Sequence, residues 1–129
     1  MEPCIDWEKA TIDSFVEKPR RERVNEMLSI AKHRTKFLDD LDHWNQLDQR
    51  YVQKCPSNSS TQAAIWLQSH GAGSKCWVIS RDKAIDKCSV DLFVALERIF
   101  TRDIPTFLCC LPGKLAYFEN EEGRWLLKR

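Results

Sequence analysis

Cys76-Trp77-Val78-Ile79-Ser80, then Ser89-Val90-Asp91-Leu92-Phe93-Val94-Ala95-Leu96-Glu97-Arg98-Ile99-Phe100, then Thr106-Phe107-Leu108-Cys109-Cys110-Leu111: these three consecutive segments decide how the chain is read. The first and last are short apolar runs with no polar alternation, the pattern of strands covered on both faces. The middle one places Leu92, Phe93, Leu96, Ile99 and Phe100 at helical spacing, with Ser89 as the expected cap. Burying five large side chains contributes on the order of 10 kcal/mol before entropy, so this is the strongest helix in the sequence. A strand, a crossover helix and a second strand predict a unit whose two strands lie parallel in one sheet.

Downstream, Leu111-Pro112-Gly113-Lys114 carries a type II turn signature, with Leu115–Glu119 returning antiparallel. Asn120-Glu121-Glu122-Gly123 reads as a hairpin loop leading to a last strand over Arg124–Lys128. Upstream, Asp6 is placed to cap a helix from Trp7 to about Glu17, which Lys18-Pro19 interrupts. A longer helical stretch follows from about Arg20 to Trp44. It has one apolar stripe through Val24, Met27, Leu28, Ala31, Thr35 and Leu38 and another through Ile30, Phe37, Leu41 and Trp44. Two stripes mean either a helix embraced from two sides or one that bends near Lys36. Cys55–Ser60 is a polar break, and a short helix capped by Ser60 or Thr61 ends at His70-Gly71.

The resulting expectation is a single α+β domain over residues 1–129, with a helical part over 1–70 and a β-α-β-β-β part over 75–129. The sheet is about four-stranded and mostly antiparallel, with one parallel β-α-β crossover, packed against the N-terminal helices. At 129 residues one domain can bury a core without staples. The 43% hydrophobic and 30% charged composition excludes a disordered chain. A net charge of +1 excludes bulk attraction to nucleic acid or membrane, so any such binding must come from a local patch. No basic segment followed by an apolar one opens the chain, which predicts a cytoplasmic protein whose six cysteines are reduced.

No motif for chemistry is complete. His70-Gly71-Ala72-Gly73-Ser74-Lys75 has the residue types of a phosphate loop but the wrong spacing, and it precedes a strand instead of a helix. Cys109 and Cys110 read as packing residues on opposite faces of one strand. Asp39 and His43 share a helix face but are only two ligands, and no cysteines stand at zinc-finger spacing, so neither a metal nor a cofactor is expected. His70, Cys76 and Ser80 lack an elbow motif, and Glu119, Glu121 and Glu122 fall near a hairpin tip; an enzyme is the less favoured class.

Two surfaces stand out. From Lys18 to Lys36 seven basic residues face two acids, 7 − 2 = +5, while Phe37 to Arg50 carries 1 − 4 = −3. If the strands of the crossover unit are parallel, their carboxyl ends gather Arg81, Lys83, Lys114, Lys128 and Arg129 on one basic rim, a candidate anion-binding edge. The leading expectation is a small non-catalytic binding or regulatory module with a protein partner or self-association, acting through the charged helical stretch or this rim. The alternatives are a nucleic-acid or phosphate-ligand binder using the rim, and an enzyme with a site near Ser80–Asp86 and Pro112–Lys114.

Overall fold

The structure, a computed structural model, describes residues 6–102 and 104–129; Cys4 lies outside the described residues. Helix α1 (Trp7–Phe15) begins where the Asp6 carboxylate accepts the Lys9 N–H at 3.0 Å, and it turns Ile12 and Phe15 inward. Helices α2 (Arg21–Ser29) and α3 (Ala31–Asp39) follow, separated at Ile30, whose backbone is extended. Strand β1 (Val52–Lys54) leads to α4 (Ser60–Ser69), capped by Ser59 one residue earlier than the sequence suggests. Then come β2 (Lys75–Ser80), β3 (Ser89–Asp91), α5 (Leu92–Ile99), β4 (Thr106–Leu111), β5 (Leu115–Asn120) and β6 (Gly123–Lys128).

The six strands form one open sheet in the order β1-β6-β5-β4-β2-β3, and every neighbouring pair is antiparallel. This overturns the expected four-stranded sheet with a parallel crossover. The cause is local. Ser89 does not cap α5; Asp91 does, its carboxylate accepting the Phe93 and Val94 N–H groups at 3.0 and 3.2 Å. The cap, and with it the helix start, therefore falls two residues later, and Ser89–Asp91 is left to pair with Lys75–Trp77. That short strand adds one reversal between β2 and β4, and a single extra reversal turns a parallel pair into an antiparallel one. Trp77 faces Cys109, and Ser80 faces Thr106.

The alternation of side chains across the sheet divides the core in two. One face carries Cys76, Val78, Leu108, Cys110, Tyr117 and Leu126 beneath α4 and α5. The other carries Ile79, Phe107, Cys109, Ala116, Phe118 and Leu127 beneath α1, α2 and α3. Helices thus cover both faces, which is why the central strands read as unbroken apolar runs although no pair is parallel. Phe93, counted on the buried face of α5 from its spacing, is 37% exposed, and Ala95 takes its place in the core. The turns behave as their residues suggest: Gly113 takes a positive φ of 71°, and the Lys114 N–H closes the turn onto the Leu111 carbonyl at 3.0 Å.

A buried guanidinium ties the second layer to the sheet. Arg34 on α3 donates to both Glu8 oxygens on α1 (2.7 and 2.9 Å) and to both Asp86 oxygens in the β2–β3 loop (3.0 and 2.7 Å). Its Nη1 also reaches the Leu28 carbonyl at 3.3 Å, closing an orphan acceptor at the end of α2. Glu8 in turn accepts the Trp77 indole N–H at 2.8 Å, and Asp86 the Ser80 amide at 2.9 Å. Burial alone would favour loss of the Arg34 charge, but the hydrogen bonds it donates to Asp86 and Glu8 outweigh it and hold the proton more tightly than usual.

Removing one partner of such a network strands the others. Arg34→Ala is expected to lower unfolding free energy in urea by about 3–5 kcal/mol, because two carboxylates lose the cation they share. Arg34→Lys, which cannot bridge two carboxylates bidentately, should recover only part of it. A separate check on topology is the set of cross-strand Hα–Hα NOEs between β2 and β4, expected for antiparallel and absent for parallel pairing.

Candidate functional site

The bend at Ile30 opens a groove on the outer side of α2 and α3. Arg20, Arg23 and Glu26 form one wall, and His33, Lys36 and Asp40 the other. Val24, Met27, Phe37 and Trp44 make the floor, and Gln46 closes one end. Its volume is about 510 Å³, within the roughly 300–1,000 Å³ range of clefts that take a ligand or a few side chains.

Each part follows from the chain. A straight helix over residues 20–44 could not bring its two apolar stripes onto one core, since they lie on different faces. Breaking at Ile30 lets Val24 and Leu28 of α2, and Phe37 and Leu38 of α3, reach the same cluster. Trp44 caps that cluster from outside. Its ring meets Phe37, Phe107 and Phe118 edge-on, with centroids 5.8, 5.7 and 5.7 Å apart, and its indole N–H donates to Gln46 Oε1 at 3.2 Å. Trp44 and Met27 stay half-buried, so the floor offers apolar surface to a visitor.

The walls are charged and uncommitted. Among the described residues no carboxylate lies within ion-pair distance of Lys18, Arg20, Arg23, Lys32 or Lys36. With buried Arg34 set aside, the surface from Lys18 to Lys36 holds six bases against Glu22 and Glu26, 6 − 2 = +4. The whole chain is +1, so the remainder carries 1 − 4 = −3. Of these bases Arg20, Arg23 and Lys36 line the groove, beside the acids Glu26 and Asp40, a local balance of 3 − 2 = +1.

The rim expected from parallel strands does not form. Because β4 runs against β2, Arg81 and Lys83 follow the far end of β2, whereas Lys114, Lys128 and Arg129 gather at the opposite end of the sheet. Six-residue strands separate the two groups by about 20 Å. Arg81 is paired with Asp42 at 3.0 Å, and Lys83 sits exposed on its loop. The other three do meet. The Arg129 amide donates to the Lys114 carbonyl at 3.0 Å, and Lys128 Nζ approaches His70 Nδ1 at 3.2 Å. The Arg129 guanidinium lies 4.8 Å from the Tyr51 ring centre and donates to the Ser14 carbonyl at 3.3 Å. The same separation divides Ser80–Asp86 from Pro112–Lys114, so those two segments do not form one catalytic site.

The candidate nucleophiles are engaged or shielded. Ser80 Oγ is 2.7 Å from Thr106 Oγ1 and accepts the Asp82 N–H at 3.0 Å. Cys109 and Cys110 lie in opposite cores, and burial pushes the Cys76 and Cys109 thiols up to about 12 and the Cys110 thiol well above its ordinary value. His70 packs edge-on against Trp66 at 5.4 Å. No group of three or more described His, Cys, Asp or Glu residues is arranged to hold a metal ion, and Asp39 and His43 remain on the surface. No described helix is long and apolar enough to cross a membrane.

Sequence reasoning singled out the charged helical stretch but missed that Met27, Phe37 and Trp44 would floor a groove within it. Their assignment to two faces was visible, and a bend was one of the two readings it allowed, but the bend falls at Ile30 and not near Lys36. Compared with known proteins, the chain matches no family model, no curated protein and no solved structure.

The shielded thiols have a measurable signature. Raised folded-state values mean the native protein binds more protons than the unfolded chain above about pH 9, so stability falls as pH rises from about 9 toward 12. Each of Cys76 and Cys109 should contribute a slope of about 1.4 kcal/mol per pH unit in that window, read by urea unfolding across the alkaline range. In the native state at pH 8, alkylation followed by peptide mapping should label exposed Cys88 well before Cys76, Cys109 or Cys110.

Proposed function

We propose that this protein is a small non-catalytic binding module whose working surface is the groove between α2 and α3, taking a protein partner. The observation that carries the reading is the coincidence of half-buried apolar floor with unpaired cations around it. Arg20, Arg23 and Lys36 can be recruited without first releasing a described carboxylate. A surface that only had to be soluble has no need to leave the Trp44 ring half-open beside them.

Other readings have less behind them. An enzyme needs titratable groups in mutual reach within a concave site. Ser80 and Thr106 satisfy each other, and the described thiols with shifted values are held protonated. A phosphate binder could use Lys114, Lys128 and Arg129, but Arg129 is already engaged by Tyr51 and Ser14, and Arg81 and Lys83 are too distant to join them.

Selection of a random peptide library on the intact immobilised chain tests the reading. Enriched peptides should lose at least about tenfold in affinity, roughly 1.4 kcal/mol, when the groove carries Arg23→Glu and Lys36→Glu. They should be indifferent to Lys114→Glu with Lys128→Glu at the far end. The reverse pattern, or a library yielding no binder that depends on the groove, would count decisively against the assignment.

A further inference from the structure

Resting on the reading of the groove as a protein-binding surface, we infer that its occupant is an extended acidic peptide segment presenting one large apolar side chain with carboxylates on both sides of it. The anchor fills the space over Met27 and Trp44, and the flanking carboxylates meet Arg23 on one wall and Lys36 on the other.

Three features of the site set this chemistry. First, size: about 510 Å³ accommodates one or two side chains but not a helix, whose body with side chains is about 10–12 Å across. A partner must therefore reach in with an anchor and run along the surface on either side. Second, the floor: Met27 is flexible and polarisable, and Trp44 offers a ring face already braced by Phe37, Phe107 and Phe118, so an apolar side chain gains contact without displacing an internal one. Third, the walls: cations stand on both helices, so complementary charge is needed on both sides of the anchor.

The same walls argue against a nucleic acid. Glu26 and Asp40 stand among the cations, one on each wall, where a continuous phosphate chain would have to pass them. A peptide can place neutral or donor side chains opposite those two acids and carboxylates elsewhere. The narrow, apolar floor likewise suits a single aliphatic or aromatic residue more than a row of stacked bases, for which Trp44 alone is no platform.

Trp44 supplies the readout. Its indole N–H donates to Gln46 Oε1 at the end of the groove, so its signal in a nitrogen-15 correlation spectrum of the full chain reports occupancy. Trp66, on α4 across the sheet, serves as the internal reference. The probe is a nine-residue peptide with leucine at its centre and three acidic residues on each side. It should shift the Trp44 signal saturably and leave Trp66 unmoved. Replacing the leucine by serine, or the acids by glutamine, should each weaken binding at least tenfold, and raising the salt from 50 to 500 mM should weaken it severalfold. Arg23→Glu and Lys36→Glu, both at exposed positions that the fold does not use, should abolish the shift.

Equal binding of the serine peptide would overturn the anchor, and equal binding of the glutamine peptide would overturn the acidic flanks. Tighter binding of a single-stranded DNA oligomer at the same groove would overturn the choice of a peptide. If the designed peptide fails while library peptides of another composition still depend on Arg23 and Lys36, the occupant's chemistry is wrong and the binding module stands. If nothing depends on those residues, both fall.

Discussion

The position of one buried guanidinium governs the outer helical layer. Arg34 stands where α3 crosses α1 and the β2–β3 loop, and it is the only described cation bound to both Glu8 and Asp86. Because those acids also hold the Trp77 indole and the Ser80 amide, the side chain links a helix, a neighbouring helix and the sheet through a single planar group. Its contact with the Leu28 carbonyl fixes the end of α2 as well, so the angle between α2 and α3 is set from beneath. The groove on the outside exists because this knot on the inside holds the bend open. Burying the guanidinium beside two half-buried carboxylates is costly, and the bidentate geometry is what makes the arrangement tolerable.

Much of the architecture could be read from residues in order. Asp6 caps α1, β2 and β4 announce themselves as double-faced apolar runs, and the Pro112-Gly113 and Glu121–Gly123 turns set the β4-β5-β6 meander. What could not be read were β1 and β3. Three residues are too few to display a period of two, and Ser89 and Asp91 both have the chemistry of a helix cap. The two competent caps stand only two residues apart, yet which of them starts the helix decides the sense of every strand that follows relative to β2.

That reversal propagated into the site. Each of the five cations on the expected rim is a strand-end residue, as anticipated, but which end depends on parity, and parity depended on Ser89–Asp91. The charged stretch from Lys18 to Lys36 survived because it rests on composition within contiguous helices, not on long-range topology. Its buried member did not: Arg34 counts as one more surface base in the sequence, and only its partners, 26 and 52 residues away, remove it from the exterior. Local charge patterning is legible from sequence to the extent that nothing distant neutralises it.

The two outermost strands also determine how the molecule meets copies of itself. β1 and β3 are each three residues long, and their central six-residue neighbours are flanked on both sides. An incoming chain offering a strand would find a margin with room for only a hydrogen bond or two, bordered by Lys54 on one side and Asp91 on the other. Growth of the sheet from molecule to molecule is thereby discouraged while the fold is intact. The apolar β4 and β5 lie inside the sheet, and β2 and β6, which would otherwise form its margins, are kept out of circulation by two scraps of backbone that bury almost nothing themselves.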